Sequence, residues 1–145
     1  MKRKVAFGLV ALLLTTSLLV GCMGGGPAAT NEKQIHDLLD KYEKAYLQMD
    51  TDGIANLLVY PLNFDGEYIA NKQQAQFMFG FLFAFIQVEQ FKIEDRAIVV
   101  DSSGARAGVE ATRVQKERGY VTERFPVKLN VRKVDGVWKI SGSFI

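Results

Sequence analysis

The last third of the chain constrains the fold most strongly, because apolar and polar residues alternate along four successive runs. The runs span residues 91–100, 105–116, 120–134 and 137–144. Alternation with a period of two is typical of strands that have one apolar face. Residues that favour turns separate the runs, and Asp135-Gly136 is a strong hairpin signal. We therefore predict four consecutive antiparallel strands, whose apolar face another layer must cover.

Helical patterns upstream supply that layer. Apolar residues at i, i+3, i+4 and i+7 predict an amphipathic helix over 31–49, with Asn31 as its N-cap. Asp50-Thr51-Asp52-Gly53 ends this helix and can cap a short second helix over 54–59, which must stop before Pro61.

A short strand over 62–68, with a turn at Asp65-Gly66, precedes a third helix over 71–87 capped by Asn71. The second half of this helix is apolar on every side and too short to span a bilayer. We expect it to be buried between the sheet and its neighbours. The alternative is that one face contacts a partner, a second copy or a bilayer surface.

The N-terminus has the organisation of an export signal: a basic start, an apolar run over 5–20, and then Leu19-Val20-Gly21-Cys22. These four residues resemble the lipobox of bacterial lipoproteins. The resemblance implies that Cys22 is acylated and becomes the first residue after cleavage. An ordinary secretory signal or an uncleaved anchor are the alternatives. The predicted organisation is a signal peptide at 1–21, a lipidated tether at 22–30 and one domain at 31–145.

Charge and cysteine content narrow the function classes. Removal of the three basic residues of the signal leaves 15 basic and 16 acidic residues, a net charge of about −1. No run of basic residues remains, which argues against a nucleic-acid partner. Cys22 is the only cysteine, so the mature domain has no disulfide.

Four segments resemble the nuclear-transport-factor-2-like superfamily, also called SnoaL-like or cystatin-like. They are 42–46 (YEKAY), 50–58 (DTDGIANLL), 64–66 (FDG) and 135–142 (DGVWKISG). The order and lengths of the predicted elements support the resemblance. It implies a cone-shaped α+β fold, with three N-terminal helices packed on a curved antiparallel sheet and a pocket between them.

Strand parity predicts which side chains point inward. One face holds Phe125, Val127, Leu129 and Val131 on one strand, and Trp138, Ile140 and Phe144 on the next. A hairpin centred near Arg118 would pair Val109 with Val127, Ala111 with Phe125, and Arg113 with Glu123. The last pair is either a solvated ion pair at the rim or a polar anchor for a ligand.

Catalytic residues can be proposed only through the resemblance. In superfamily enzymes such as ketosteroid isomerase, a tyrosine on the first helix works beside pocket carboxylates. Tyr42 or Tyr46 matches that tyrosine and Asp65 matches the base, but the inward positions of the long strands offer no second acid. Turn geometry alone also explains Asp65. His36 lies on the polar side of the first helix.

The residues offer no spacing for a metal, a nucleotide or another cofactor. The predicted pocket residues are Tyr42, Tyr46, Tyr60, Phe64, Asp65, Arg113, Glu123 and Trp138. Three functions fit: a non-catalytic envelope lipoprotein that binds a small apolar ligand or another envelope protein, an isomerase- or cyclase-like enzyme, or a spacer domain. The first is our prediction, with the domain outside the cytoplasm on the cell or outer membrane. A homodimer through the outer sheet face or the third helix is also expected.

Overall fold

The computed structural model of the protein describes residues 26–144; the predicted signal peptide and Cys22 lie outside the described residues. Three helices precede or interrupt six strands within this range. The helices are α1 Pro27–Leu47, α2 Thr51–Asn56 and α3 Lys72–Phe85, and the strands are β1 Leu62–Phe64, β2 Glu67–Ile69, β3 Val88–Val100, β4 Arg106–Glu117, β5 Glu123–Val134 and β6 Val137–Phe144. None of the helices in residues 26–144 has the length and apolar character needed to cross a bilayer.

Helix α1 begins at Pro27, four residues before the predicted start, so residues 27–30 of the predicted tether are helical. Proline is favourable at this position because a backbone N–H in the first turn would have no acceptor within the helix, so its absence costs no hydrogen bond. Asn31 therefore is not the N-cap, and the prediction that it caps the helix is wrong. Its side chain is buried and accepts a hydrogen bond of 2.7 Å from Lys133 Nζ on β5.

The other two predicted caps are confirmed. The Asp50 carboxylate accepts a hydrogen bond of 2.9 Å from the Gly53 amide, and α2 starts three residues earlier than predicted. Asn71 Oδ1 accepts from the Gln74 amide at 2.9 Å, and Gln74 Oε1 accepts from the Ala70 amide at 2.8 Å. The first bond satisfies a backbone N–H that the first helical turn leaves free, and the second satisfies the amide of the residue before the N-cap.

The strands form one sheet in the order β2-β1-β6-β5-β4-β3. The four long antiparallel strands are confirmed, while the short strand predicted over 62–68 is a hairpin of two strands. Asp65 and Gly66 form its turn with φ of 50° and 92°, a region that Asp and Gly tolerate. The β1–β6 pair is parallel, which places Asp65 beside the end of β6.

The β4–β5 register differs from the prediction by two residues. Val109 pairs with Leu129, Ala111 with Val127, and Arg113 with Phe125. A shift of two leaves every side chain on its predicted face, so Val127, Leu129 and Val131 are buried as expected. The predicted Arg113–Glu123 pair is wrong, because Glu123 lies opposite Gln115.

A bulge in β6 corrects a second prediction. The register with β5 shifts between the Val131–Ile140 and Asn130–Gly142 pairs, which inserts one residue into β6. One extra residue reverses the alternation beyond it. Ser143 therefore points inward and is 1% exposed, whereas Phe144 lies 44% exposed on the opposite face.

The core lies between α1 and the inner face of the sheet. In the sequence, its first buried apolar residue is Ile35 and its last is Ile140. Strand β3 bends around α1 at a second bulge, where Asp95 has φ of 53°. The buried residues of the helices and the sheet form one hydrophobic core within residues 26–144.

Candidate functional site

A cleft of about 650 Å³ lies where α3 faces the β1–β2 hairpin and β4. Its lining is mainly aromatic and aliphatic, with a few polar side chains at one end. The apolar residues are Tyr46, Phe64, Met78, Phe79, Phe81, Leu82 and Phe85, and the polar ones are Asp65, Glu67, Arg113 and Gln115. This volume and this composition are typical of small-molecule sites.

An ion pair forms the polar end of the cleft. Arg113 Nη1 donates to Asp65 Oδ2 at 2.7 Å, and the Ser143 hydroxyl donates to Asp65 Oδ1 at 2.7 Å. The Arg113 guanidinium also lies 4.4 Å from the centre of the Phe125 ring. Both carboxylate oxygens are therefore engaged, and the positive and negative charges cancel.

The β6 bulge accounts for this arrangement. It turns Ser143 inward, beside the end of β1, where the hairpin turn presents Asp65. Arg113 reaches the same point from β4 because it lies on the same face of that strand as the buried residues Val109 and Ala111. Its Nε is buried without a hydrogen-bond partner in the described part of the chain. The pair is thus assembled from three separate elements.

Aromatic packing holds the two tyrosines of α1 beneath the cleft. The Tyr46 ring stacks on Phe91 at 3.9 Å between centroids, and Tyr42 contacts Tyr46 edge to face at 5.9 Å. Burial raises the pKa of Tyr46 to about 12 and holds the pKa of Tyr42 well above its ordinary value. Both hydroxyls are consequently neutral near neutral pH.

The prediction that α3 is buried between the sheet and its neighbours is wrong for one face of the helix, which is exposed to solvent. Phe79 is 1% exposed and packs on the core, but Phe77, Phe81 and Phe85 are 75%, 61% and 75% exposed. These three residues recur every fourth position and so share one side of the helix. Phe81 and Phe85 also line the cleft, so its outer wall is open to solvent.

Four of the eight predicted pocket residues line the cleft: Tyr46, Phe64, Asp65 and Arg113. Tyr42 lies just below it and contacts Phe64. The other three lie elsewhere. The Tyr60 hydroxyl donates to the Ala55 carbonyl at 2.8 Å, Trp138 lines a separate cleft beside Lys41, and Glu123 lines a depression near Tyr120.

The lining residues that the sequence prediction missed come mainly from α3. Met78, Phe81, Leu82 and Phe85 follow the i, i+3, i+4, i+7 spacing of one helix face. That spacing could have identified the cleft wall, but a helix that is apolar on every side has several sets of residues with the same spacing, and the sequence does not show which set faces the cleft. Gln115 shares the parity of Arg113, so β4 alternation would have found it.

The described residues include no group of three or more His, Cys, Asp or Glu side chains placed to hold a metal ion. His36 is half-exposed in the middle of α1, with Glu32 at 4.0 Å and the Arg96 guanidinium at 3.5 Å. The cleft itself offers an aromatic surface, one neutralised ion pair, and the side chains of Glu67 and Gln115. This arrangement can bind and orient a molecule through apolar contact and hydrogen bonds.

Comparison with known proteins identifies the fold. No family model and no curated protein matches the chain. It is similar to a protein of unknown function with a cystatin-like fold from Nostoc punctiforme, with 15% identity, TM-score 0.69, and coverage of 81% of this chain and 90% of that one. An NTF2-like protein from Cytophaga hutchinsonii matches with 18% identity, TM-score 0.65, and coverage of 78% and 94%.

A candidate scytalone dehydratase from Novosphingobium aromaticivorans is also similar, with 17% identity, TM-score 0.64, and coverage of 81% of this chain and 84% of that one. Identities at this level report on the fold alone. The expected architecture is confirmed: the protein has an NTF2-like, cystatin-like α+β fold with a curved six-stranded sheet and N-terminal helices.

Proposed function

We propose that the protein is a membrane-anchored envelope lipoprotein whose domain binds a small apolar molecule without chemical conversion. The observation that carries the ligand-binding proposal is the cleft between α3 and the sheet. It is large enough for a drug-sized molecule, and its polar groups are few and gathered at one end. Burial of an apolar ligand there is favourable by about 25 cal/mol per Å² of apolar surface removed from water.

The chemistry of the lining defines the kind of ligand. Because the Asp65–Arg113 pair is neutral overall, it does not favour a ligand that carries a strong net charge. Aromatic walls from Tyr46, Phe64 and Phe79 favour flat or elongated apolar bodies. The proposed ligand is therefore an uncharged, mainly apolar molecule with hydrogen-bonding capacity at one end.

The anchor is proposed from the N-terminal sequence. Acylation of Cys22 would leave four residues between that cysteine and Pro27, the first residue of α1, so five Cα–Cα steps give a reach of about 17 Å. Two or three acyl chains at this cysteine would hold the domain stably at a membrane surface. The full chain, expressed with labelled palmitate, should incorporate the label, and Cys22→Ala should abolish incorporation. A labelled Cys22→Ala chain would contradict the proposal.

A cleft-filling substitution tests ligand binding. Leu82→Trp places a large side chain in the cleft, whereas Ala84→Trp adds the same group on an exposed part of α3 that does not line it. Protein purified from its own membranes and analysed by native mass spectrometry should carry a bound small molecule. Ala84→Trp should retain that mass and Leu82→Trp should lose it. Retention by both variants, or no bound mass in the unsubstituted protein, would contradict the proposal.

An isomerase- or cyclase-like enzyme is the second candidate, because Tyr46 and Asp65 line the same cleft. A substrate proton would share the Asp65 carboxylate with the donors Arg113 and Ser143, each of which already bonds one of its oxygens. Asp65→Asn distinguishes the two functions once the ligand is identified. An enzyme would lose turnover of that molecule while remaining folded, whereas a binding protein would show no turnover with either side chain.

A further inference from the structure

A row of three positive side chains crosses the outer face of the sheet. Arg106 on β4 lies directly opposite Arg132 on β5, and Arg132 lies directly opposite Lys139 on β6. Their inward-pointing neighbours Ala107 and Val131 are buried, so the three cations share the outer face. They are far apart in the sequence, and only the strand pairing brings them together.

The row has no acidic partner among the described residues. Other cations on this face are neutralised: Lys128 pairs with Glu110 at 2.9 Å, and Arg124 with Glu94 at 3.0 Å. Like charges directly opposite each other in an antiparallel pair destabilise a sheet. Three adjacent cations therefore create a local excess of positive charge that an anion would relieve.

A groove adjoins the row. It has a volume of about 470 Å³ and is lined by Arg106, Gly108, Asn130, Arg132 and Ser141, among others. Gly108 leaves space where another residue would carry a side chain, and Asn130 and Ser141 supply hydrogen-bonding groups. Asp101 is the acid in this lining; it accepts hydrogen bonds from the hydroxyl and amide of Ser103 and forms no ion pair with Arg106 or Arg132, so three cations lie beside one carboxylate.

The position of the row in the molecule indicates which anion it meets. Lys133, next to Arg132, bonds Asn31 in the second turn of α1, so the row lies near the N-terminal end of α1. On the proposed function, the acylated Cys22 is at most about 17 Å of chain from that end. A membrane surface rich in phosphate groups would then lie within reach of the row.

We propose that the Arg106–Arg132–Lys139 row binds the phosphate groups of anionic phospholipids in the membrane that anchors the protein. This inference rests on the proposed anchor for its geometry. A row of one sign opposes a two-fold contact of this face with itself, which disfavours a second copy as the occupant. Arg113 lies seven residues beyond Arg106 on β4, about 23 Å away. Binding through the row would therefore hold the ligand cleft away from the bilayer.

Vesicle sedimentation tests the proposal without the acyl chains. Residues 23–145, which contain the complete core, are mixed with vesicles of equimolar phosphatidylglycerol and phosphatidylcholine, or of phosphatidylcholine alone. We expect binding to the anionic vesicles only, and its loss at high salt. Each cation near an anionic surface contributes about fivefold to binding, so Arg106→Gln/Arg132→Gln should bind about 25-fold more weakly.

Lys92→Gln/Arg118→Gln is the matched control, because both side chains are exposed, lie away from the row and remove the same charge. It should weaken binding less than about twofold. Equal losses in the two double variants, or no binding to anionic vesicles, would overturn the proposal. Competition by free inorganic phosphate at low millimolar concentration would also overturn it, in favour of a soluble phosphate ligand. Palmitate labelling of the full chain tests the anchor separately, so either proposal can fail alone.

Discussion

Two arginine–carboxylate pairs of equal length show how burial determines what an ion pair contributes. Arg113 bonds Asp65 and Arg96 bonds Asp40, each at 2.7 Å. The Asp65 side chain is only 19% exposed, whereas that of Asp40 is 65% exposed. Water screens and replaces the exposed partner, but it cannot compensate a buried guanidinium whose carboxylate is removed.

We therefore predict unequal effects of the same substitution at the two aspartates. Asp65→Asn should lower the free energy of unfolding by about 3 kcal/mol, because Arg113 would lose its counterion in a buried site. Asparagine tolerates the positive φ of residue 65, so backbone strain does not contribute. Asp40→Asn should cost less than about 1 kcal/mol, because Asp40 is exposed and Arg96 keeps Glu43 as a counterion at 2.6 Å. Urea denaturation of both variants measures the difference, and equal values would contradict the argument.

At the scale of elements, α1 is joined to the bend in β3 by several side chains, of which Glu43 is the most buried carboxylate. Glu43 Oε1 accepts a hydrogen bond of 2.7 Å from the Ile93 amide and lies 2.6 Å from Arg96 Nη2. Arg96 lies in the β3 bulge, and its Nε donates to the Ile93 carbonyl at 2.7 Å. Strand β3 is the edge strand of the sheet, so Glu43 satisfies an amide that has no further strand to bond to.

Loss of this side chain should destabilise the protein and expose one particular amide. Glu43→Ala leaves the Ile93 N–H without its acceptor, and we expect a loss of about 2 kcal/mol in the free energy of unfolding. Hydrogen exchange at Ile93 should accelerate more than exchange elsewhere in β3. Asp37→Ala, which removes a carboxylate of α1 from an exposed pair with Lys33, is the control and should change neither measurement appreciably. An unchanged Ile93 exchange rate would refute this role of Glu43.

The elements that could be predicted from the sequence are those whose position depends on neighbouring residues in the chain. Alternation located the four long strands, and the side chains of Asp50 and Asn71 located two helix starts. Register was not predictable, because a slip of two residues between β4 and β5 buries the same face. The bulge at β6 was equally invisible in the pattern, so Phe144 was assigned to the wrong face.

The candidate site was predicted only in part for the same reason. Parity placed Arg113 inside the cone, but its partner depended on long-range topology. The parallel contact between β1 and β6 brings Asp65 to Ser143, 78 residues away, and no local signal encodes that contact. The cleft wall formed by α3 depended on which side of a uniformly apolar helix faces the sheet.

At the scale of the whole molecule, the buried tyrosines make the free energy of unfolding depend on pH in the alkaline range. An ordinary tyrosine has a pKa of 10.0; burial in the fold raises the pKa of Tyr46 to about 12 and holds the pKa of Tyr42 well above its ordinary value. Between pH 10 and 12 the unfolded chain therefore binds fewer protons than the folded protein. This contribution to stability is fully present below pH 10 and is lost as pH rises through the folded-state pKa.

We predict that the free energy of unfolding falls in this window with an extra slope of about 1.4 kcal/mol per pH unit for each buried tyrosine. Tyr46→Phe should make the slope shallower by that amount up to about pH 12, where the folded-state hydroxyl itself ionises. Tyr68→Phe removes the same hydroxyl from a side chain that is 60% exposed and is the matched control. Urea denaturation as a function of pH measures all three proteins. Parallel slopes for the unsubstituted protein and Tyr46→Phe would mean that this hydroxyl ionises as easily in the fold as in water, which its stacking on Phe91 should prevent.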